Sequence, residues 1–100
     1  MTNGNPKFVM GRLLSTPDAL RALEEAGEAP ATLLGRHVSG DWGDMCDEDK
    51  QANEQALQDG SRIFSSYVLA ATGQKVWVIT EAADDQGRCA ASTILLPENY

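Results

Sequence analysis

Runs of mostly apolar residues, separated by polar turn residues, predict four β-strands in this chain. Four runs are rich in β-branched and aromatic residues and are bounded by turn-forming residues. These runs are residues 8–14, 62–69, 75–80 and 92–96. Turn sequences at residues 71–74 and 84–87 have hairpin length. The last three strands are therefore predicted to form an antiparallel meander, to which the first strand can add as a fourth.

Two helices are predicted directly after the first strand, from their start and stop signals. Thr16 can cap the first helix, Pro17 fits its first position, and Gly27 is a natural stop. The second helix follows Pro30 and ends at Gly40. Its apolar face consists of Leu33, Leu34, His37 and Val38.

A third helix is predicted from Asp47, whose side chain can cap it, to Gly60. Its inner face offers only Ala52, Asn53, Ala56 and Leu57. With one leucine in about three and a half turns, this helix gains little free energy from its own packing. It is either a solvated polar helix or a helix that presents acids to a partner.

These elements together predict an α+β fold. We expect a single domain over residues 1–100, with residues 1–6 flexible. Its sheet is expected to have three to four antiparallel strands, with two to three helices packed on one face. Trp77 alternates with valines in its strand and is expected to pack in the core or on the sheet.

The charge balance narrows the class of partner. The chain has 100 residues, eight bases against fifteen acids, and a net charge of −7. Binding to phosphates requires Lys and Arg, so direct nucleic-acid binding is not expected, whereas a basic protein surface would be a suitable partner for this acidic chain.

Membrane binding is not expected either, because no apolar run approaches the about 20 residues of a membrane span. With no N-terminal secretion signal in the sequence, we expect a cytoplasmic location. Cys46 and Cys89 are then expected as free thiols, with a single bridge between them as the alternative.

The acids are concentrated in one segment, residues 37–59, which carries a net charge of −6. Its only base is Lys50. Its acids are Asp41, Asp44, Asp47, Glu48, Asp49, Glu54 and Asp59. A concentrated field of one sign indicates a partner more readily than a dispersed one.

Metal-ligand spacing is not found in this segment. An EF-hand loop needs Glu at its twelfth position. Counting from Asp41 places Ala52 there, and counting from Asp47 places Gln58 there. A zinc site needs about four ligands. The candidates are His37, Cys46 and Cys89, without motif spacing. We expect no metal and no cofactor.

No catalytic residue can be named. The chain lacks a G-x-S-x-G motif, and His37 is its only histidine. We expect His37 to be a hydrogen-bonded structural residue that holds the adjacent loop. Gly40 and Gly43 do not form a phosphate-binding loop, because the preceding strand and the lysine are absent.

Trp42 lies between glycines and aspartates, where an apolar side chain is unusual. Either it folds back into the core, or it is an exposed anchor for a partner, since Trp is enriched at interface hot spots.

Several motifs resemble a family of small acidic bacterial proteins associated with plasmids, prophages and other mobile elements. They are H-V-S-G-D-W-G-D at residues 37–44, V-W-V-I-T-E at 76–81 and T-I-L-L-P-E-N-Y at 93–100. The resemblance covers most of the chain, but the link after Glu81 is longer here than in relatives. Members are labelled as plasmid-related or as methyltransferase subunits. A methyltransferase needs a large cofactor domain, which this chain lacks.

The size, charge and mobile-element setting also resemble the profile of anti-restriction and anti-CRISPR inhibitors. The function expected is thus a non-enzymatic inhibitor from a phage or plasmid. It would block the basic nucleic-acid-binding surface of a bacterial defence complex by DNA mimicry. The expected partner-binding residues are Asp41, Trp42, Asp44, Asp47, Glu48, Asp49 and Glu54. The alternative is a small cytoplasmic regulatory or housekeeping domain that binds a metabolite or a metal near His37, Asp41 and Asp44.

Overall fold

Three helices and four strands form one α+β domain in a computed structural model that describes residues 7–83 and 91–100. The strands are β1 (Arg12–Ser15), β2 (Ile63–Val68), β3 (Lys75–Thr80) and β4 (Ala91–Leu95). The helices are α1 (Pro17–Ala26), α2 (Pro30–Val38) and α3 (Asp47–Asp59), and a 3₁₀ turn follows at Pro97–Asn99. The predicted α+β class is therefore confirmed. No helix in the described ranges is long and apolar enough to cross a membrane.

The sheet is mixed and mostly antiparallel, with the strand order β1-β4-β3-β2. β2, β3 and β4 form the predicted antiparallel meander. β1 adds as the fourth strand but runs parallel to β4, so the expectation of a wholly antiparallel sheet is wrong for this pair. The two strands are separated by three helices and a hairpin, and such a long connection permits parallel pairing.

The first strand begins four residues later than predicted, at Arg12 and not at residue 8. Gly11 interrupts the extended chain because its φ is +69°, a conformation open mainly to glycine. Before it, Phe8 and Met10 pack against the two apolar clusters and do not extend the strand.

The helix boundaries follow local signals at α1 and partly at α3. Thr16 caps α1, since its hydroxyl oxygen accepts from the Ala19 N–H at 3.1 Å. At α3 the predicted cap is wrong: Cys46 occupies the cap position without a side-chain hydrogen bond, and Asp47 is already helical. Gly60 ends the helix as predicted, and the three acids of the first turn interact favourably with its dipole.

The main core lies between the helices and one face of the sheet. Alternate residues of β2, β3 and β4 point to this face, among them Tyr67, Val78 and Ile94, which are at most 1% exposed. Leu23 of α1 and Leu33 of α2 pack against them. α3 joins the same face at its β2 end, through a second cluster of Trp42, Ala56 and Ile63. All three helices thus cover one face, as predicted.

The opposite face carries a row of aromatic side chains. The Phe64 and Trp77 rings meet edge to face with centroids 4.8 Å apart, and Tyr100 packs on Trp77 at 5.8 Å. This agrees with the sheet-face position predicted for Trp77. The predictions for the flexible residues 1–6, the turn at 84–87, the longer link after Glu81 and the thiol of Cys89 lie outside the described residues.

Candidate functional site

The loop of Trp42, Gly43 and Asp44, at the start of the acidic segment, covers the free edge of the sheet. β2 is an edge strand, and an open edge would leave backbone groups unpaired. The Ser66 N–H donates to the Trp42 carbonyl at 3.0 Å, and the Asp44 N–H donates to the Ser66 carbonyl at 2.6 Å. Gly43 forms the resulting one-residue parallel bridge to Ser66. The loop thus acts as a short additional strand.

Asn53 of α3 continues this cover with its side chain. Its Oδ1 accepts from the Phe64 N–H at 3.0 Å, and its Nδ2 donates to the Phe64 carbonyl at 2.6 Å. The amide matches both backbone groups at once, and Asn53 is 3% exposed. A polar residue on the inner face of a poorly amphipathic helix therefore attaches that helix to the sheet, in addition to the apolar cluster around Ala56.

Replacing Asn53 should test this attachment. We expect Asn53→Ala to lower the free energy of unfolding by about 2 kcal/mol, because both Phe64 backbone groups lose their partner. Gln58→Ala, an exposed change on the same helix, should stay within about 0.5 kcal/mol of the wild type. Urea denaturation measures both variants. An Asn53→Ala effect no larger than that of Gln58→Ala would contradict the attachment.

Trp42 is buried, which decides between the two alternatives for this residue. Its side chain is 4% exposed, so it is not an exposed anchor for a partner. It packs on Ala56 and Ile63, and its ring stacks on Phe8 at 6.4 Å between centroids. Its indole N–H remains satisfied, because it donates to Glu54 Oε2 at 2.9 Å. The loop must fold inward here to fill the small cluster beneath α3.

His37 is the centre of a buried polar chain. Its side chain is 0% exposed, with Nδ1 at 2.5 Å from Ser65 Oγ and Nε2 at 2.8 Å from Thr80 Oγ1. Thr80 Oγ1 lies 2.6 Å from Ser92 Oγ, which donates to the Met10 carbonyl at 2.7 Å. Since the last acceptor is a carbonyl, every donor in this chain is fixed in turn. Ser92 accepts from Thr80, Thr80 accepts from Nε2–H, and Nδ1 accepts from Ser65.

Both ring nitrogens of His37 are hydrogen-bonded, as predicted, but their partners lie on β2 and β3 and not in the adjacent loop. Burial lowers the pKa of His37 to about 4, so the ring is neutral near pH 7. Ser65 resembles a nucleophile beside a base, but both residues are 0% exposed. Both ring nitrogens of His37 already have hydrogen-bond partners, the hydroxyls of Ser65 and Thr80. No group of three or more candidate ligands is found within the described part of the chain.

Asp41 is held in the loop and is not a free carboxylate. Its Oδ2 accepts from Arg36 Nε at 2.7 Å, and this bond holds the pKa of the Asp41 carboxyl below its usual value. Its Oδ1 accepts from the Gly43 N–H, and its carbonyl accepts from the Tyr67 hydroxyl at 2.6 Å. Burial raises the pKa of Tyr67 to about 12, so the phenol remains a donor. These contacts fix the start of the acidic segment.

All seven acids of the segment are exposed. Two of them are tied to the fold through side-chain partners, Asp41 to Arg36 and Glu54 to Trp42. Asp59 accepts from the Ser61 N–H, which closes the end of the helix. Asp44, Asp47, Glu48 and Asp49 form no ion pair within residues 7–83 and 91–100. The segment therefore presents charge to solvent from a backbone that is fixed at both ends.

A cleft of about 300 Å³ lies between α3 and β2. It is lined by Met45, Asp49, Ala52, Asn53, Arg62 and Phe64. Its opening is wide and its walls carry opposite charges, Asp49 and Arg62, which does not point to a particular substrate.

Sequence reasoning missed the edge-covering role of Asn53 and the partners of His37. The available signal was the presence of polar residues at strand positions that point toward the core. Ser65, Thr80 and Ser92 occupy positions that point inward with the valines and isoleucines. Buried hydroxyls require partners, and the single histidine is the natural candidate.

Comparison of the chain with known protein families, curated proteins and solved structures finds no match.

Proposed function

We propose that this protein is a non-enzymatic binding protein whose acidic segment docks on a basic, nucleic-acid-binding surface of another protein. The observation that carries the proposal is the exposure of all seven acids in a segment of net charge −6. An anti-restriction or anti-CRISPR inhibitor, carried by a phage or plasmid and acting by DNA mimicry, is the specific form we propose. The partner would be a bacterial defence complex that grips nucleic acid.

The way the segment is attached supports a docking role. Gly43, Asn53 and the Trp42–Glu54 bond fix its backbone to the β2 edge. A fixed array of charges loses little conformational entropy on binding, whereas a flexible acidic tail would lose more. Charge pairs of this kind govern the rate and specificity of association more than raw affinity.

The binding residues we propose are the acids that the fold does not use internally. They are Asp44, Asp47, Glu48 and Asp49, with Asp41 and Glu54 at the margin. Trp42 is left out because it is buried. The proposed contact is therefore electrostatic, and salt should weaken it strongly.

Neutralising the first turn of α3 should abolish partner capture. We expect the triple variant Asp47→Asn, Glu48→Gln, Asp49→Asn to retain less than about a tenth of the proteins captured from bacterial lysate at low salt. Capture by the wild type should fall steeply as salt rises, and added duplex DNA should compete for the captured proteins. Quantitative pulldown with mass spectrometry measures each effect.

A matched control separates the effect of the position of the acids from the effect of the net charge of the protein. Glu24→Gln, Glu25→Gln, Glu98→Gln changes the net charge by the same amount at exposed acids outside the segment, and it should capture as the wild type does. Melting temperatures exclude loss of fold, since acids near a helix N-terminus each stabilise it by about 0.3–1 kcal/mol. Equal capture by both triple variants, or capture indifferent to salt, would overturn the proposal.

A further inference from the structure

The two edges of the sheet are built differently. The β2 edge is covered by the 42–44 loop and Asn53. At the β1 edge the large apolar side chains are exposed, with Leu13 at 53% and Leu14 at 45%. An exposed apolar edge strand is a template for pairing with another strand.

Alternate residues of β1 direct their backbone groups to opposite sides of the strand. The Thr16 N–H donates to the Ile94 carbonyl at 3.0 Å, so Thr16 points toward β4. Because successive residues of a strand alternate, Leu14 points the same way, whereas Leu13 and Ser15 direct their N–H and C=O groups to the open side. No hydrogen bond from elsewhere in residues 7–83 and 91–100 reaches those four groups.

We propose that a second copy of this chain pairs with β1, antiparallel about a two-fold axis at Leu14, so that two four-stranded sheets become one. In this register Leu13 of each copy lies opposite Ser15 of the other. All four open backbone groups of each strand are then used. A register centred on Leu13 would instead pair Ser15 with Gly11, which lies outside the strand at φ +69°.

Leu14 faces its own copy across the axis, on the sheet face opposite the helices, where it lies beside Thr93. Arg12 lies on that same face. It is opposite Thr16 of the other copy, and Thr16 precedes Asp18 of that copy by two residues. Asp18 already pairs with Arg21 at 2.8 Å and accepts from Asn99 Nδ2 at 3.1 Å, and Asn99 Oδ1 accepts from the Thr16 hydroxyl. Because Arg21 neutralises this carboxylate within each copy, Arg12 of the other copy adds little attraction, and the pairing rests on the open backbone groups and the Leu14 contact.

The net charge of −7 does not oppose this contact strongly. The acidic segment covers β2, which is three strand positions from β1. At about 4.8 Å per strand this separation is about 14 Å, beyond the Debye length of about 8 Å at physiological salt. Because the paired strands are short, the interface is small, and a weak dimer is expected. It would leave both acidic segments free, at opposite ends.

Sedimentation equilibrium on the full chain tests the pairing. The average mass should rise from 10.8 kDa toward twice that value between about 5 and about 500 µM protein. Leu14→Lys should raise the dissociation constant at least about tenfold, because like charges meet at the axis. Val68→Lys is the matched control: Val68 is 46% exposed on the other edge strand, and this change should leave the dimer intact.

Oxidative cross-linking tests the register. Leu14→Cys should form a covalent dimer readily, because Cα atoms about 4.5 Å apart across an antiparallel pair suit a disulfide. Leu13→Cys and Val68→Cys should not exceed the wild-type background given by Cys46 and Cys89. A monomer at every concentration would overturn the pairing and leave the edge to a foreign strand. An undiminished Leu14→Lys dimer, or equal cross-linking of the three variants, would also overturn it. None of these outcomes depends on the acidic segment.

Discussion

Lowering the pH from about 7 to about 5 should reduce the free energy of unfolding by about 2 kcal/mol through His37 alone. Burial lowers the pKa of His37 to about 4 in the folded protein, against 6.5 for an ordinary histidine. The unfolded chain therefore takes up a proton in this range that the folded chain does not. Since stability rises with pH wherever the unfolded state binds more protons, the contribution is complete above about pH 6.5 and is lost as the pH falls toward 4.

His37→Gln isolates this contribution, because the chain has one histidine. Urea denaturation of the variant should show almost no slope between about pH 7 and about pH 5. The variant should also be about 3 kcal/mol less stable near pH 7, because an amide cannot bridge Ser65 and Thr80 with the ring's geometry and leaves buried hydroxyls unpaired. Asp41 does not interfere: its pKa is lowered, so its contribution persists above 3.8 and is lost only at lower pH.

A wild-type stability that stays flat over this range would contradict the buried neutral imidazole. So would a His37→Gln variant with the same slope as the wild type. Nuclear magnetic resonance of the ring supplies an independent check, since the network requires the proton on Nε2 near pH 7.

Elements with local signals were predictable from the sequence. Thr16, Pro17 and Gly27 determine α1 through interactions within a few residues. β3 was predicted with its observed bounds, Lys75–Thr80, because its residues are mostly β-branched or aromatic.

The long-range features were not predictable in the same way. The parallel pairing of β1 with β4 depends on the path of three helices, which no local pattern encodes. The cap of α3 was misassigned by one residue because Cys46 is not a typical capping residue and makes no cap bond. In the sequence, Asn53 is a polar residue that interrupts the inner face of α3, yet its side chain pairs with the backbone of Phe64, eleven residues away.

The charge of the candidate site was predictable from the sequence, whereas the contacts that attach its backbone to the sheet were not. The positions of the acids along the sequence were enough to predict the charge of the segment, because exposed carboxylates need no partner within the fold. Whether Trp42 points inward could not be derived, since a tryptophan between glycines is compatible with both a core plug and an anchor. The decisive contact is with Ala56 and Ile63, which come from two later elements.

Gly43→Ala should be the most damaging conservative change in the acidic segment. Gly43 has φ +80°, and a Cβ there would overlap the Ser66 carbonyl and lie 2.6 Å from Tyr67 Cδ1. Neither the strand backbone nor the buried ring can move aside freely, so the loop must leave the β2 edge. We expect a loss of at least about 4 kcal/mol in the free energy of unfolding, from backbone strain and overpacking together.

Two other glycines separate these causes. Gly73 has φ +75° with open space around it, so Gly73→Ala should cost about 1 kcal/mol from strain alone. Gly35 lies inside α2 with nothing within 4 Å of a Cβ, so Gly35→Ala should stabilise the protein by about 0.5–1 kcal/mol.

Hydrogen exchange gives the local readout: the Ser66 amide, which donates to Trp42, should lose protection in Gly43→Ala and keep it in the other two variants. Gly43→Ala should also weaken capture by the acidic segment although no charge has been removed, because the acids lose their fixed positions. If Gly43→Ala cost no more than Gly73→Ala, the loop would not be held against the sheet, and the rigid presentation of charge would fail with it.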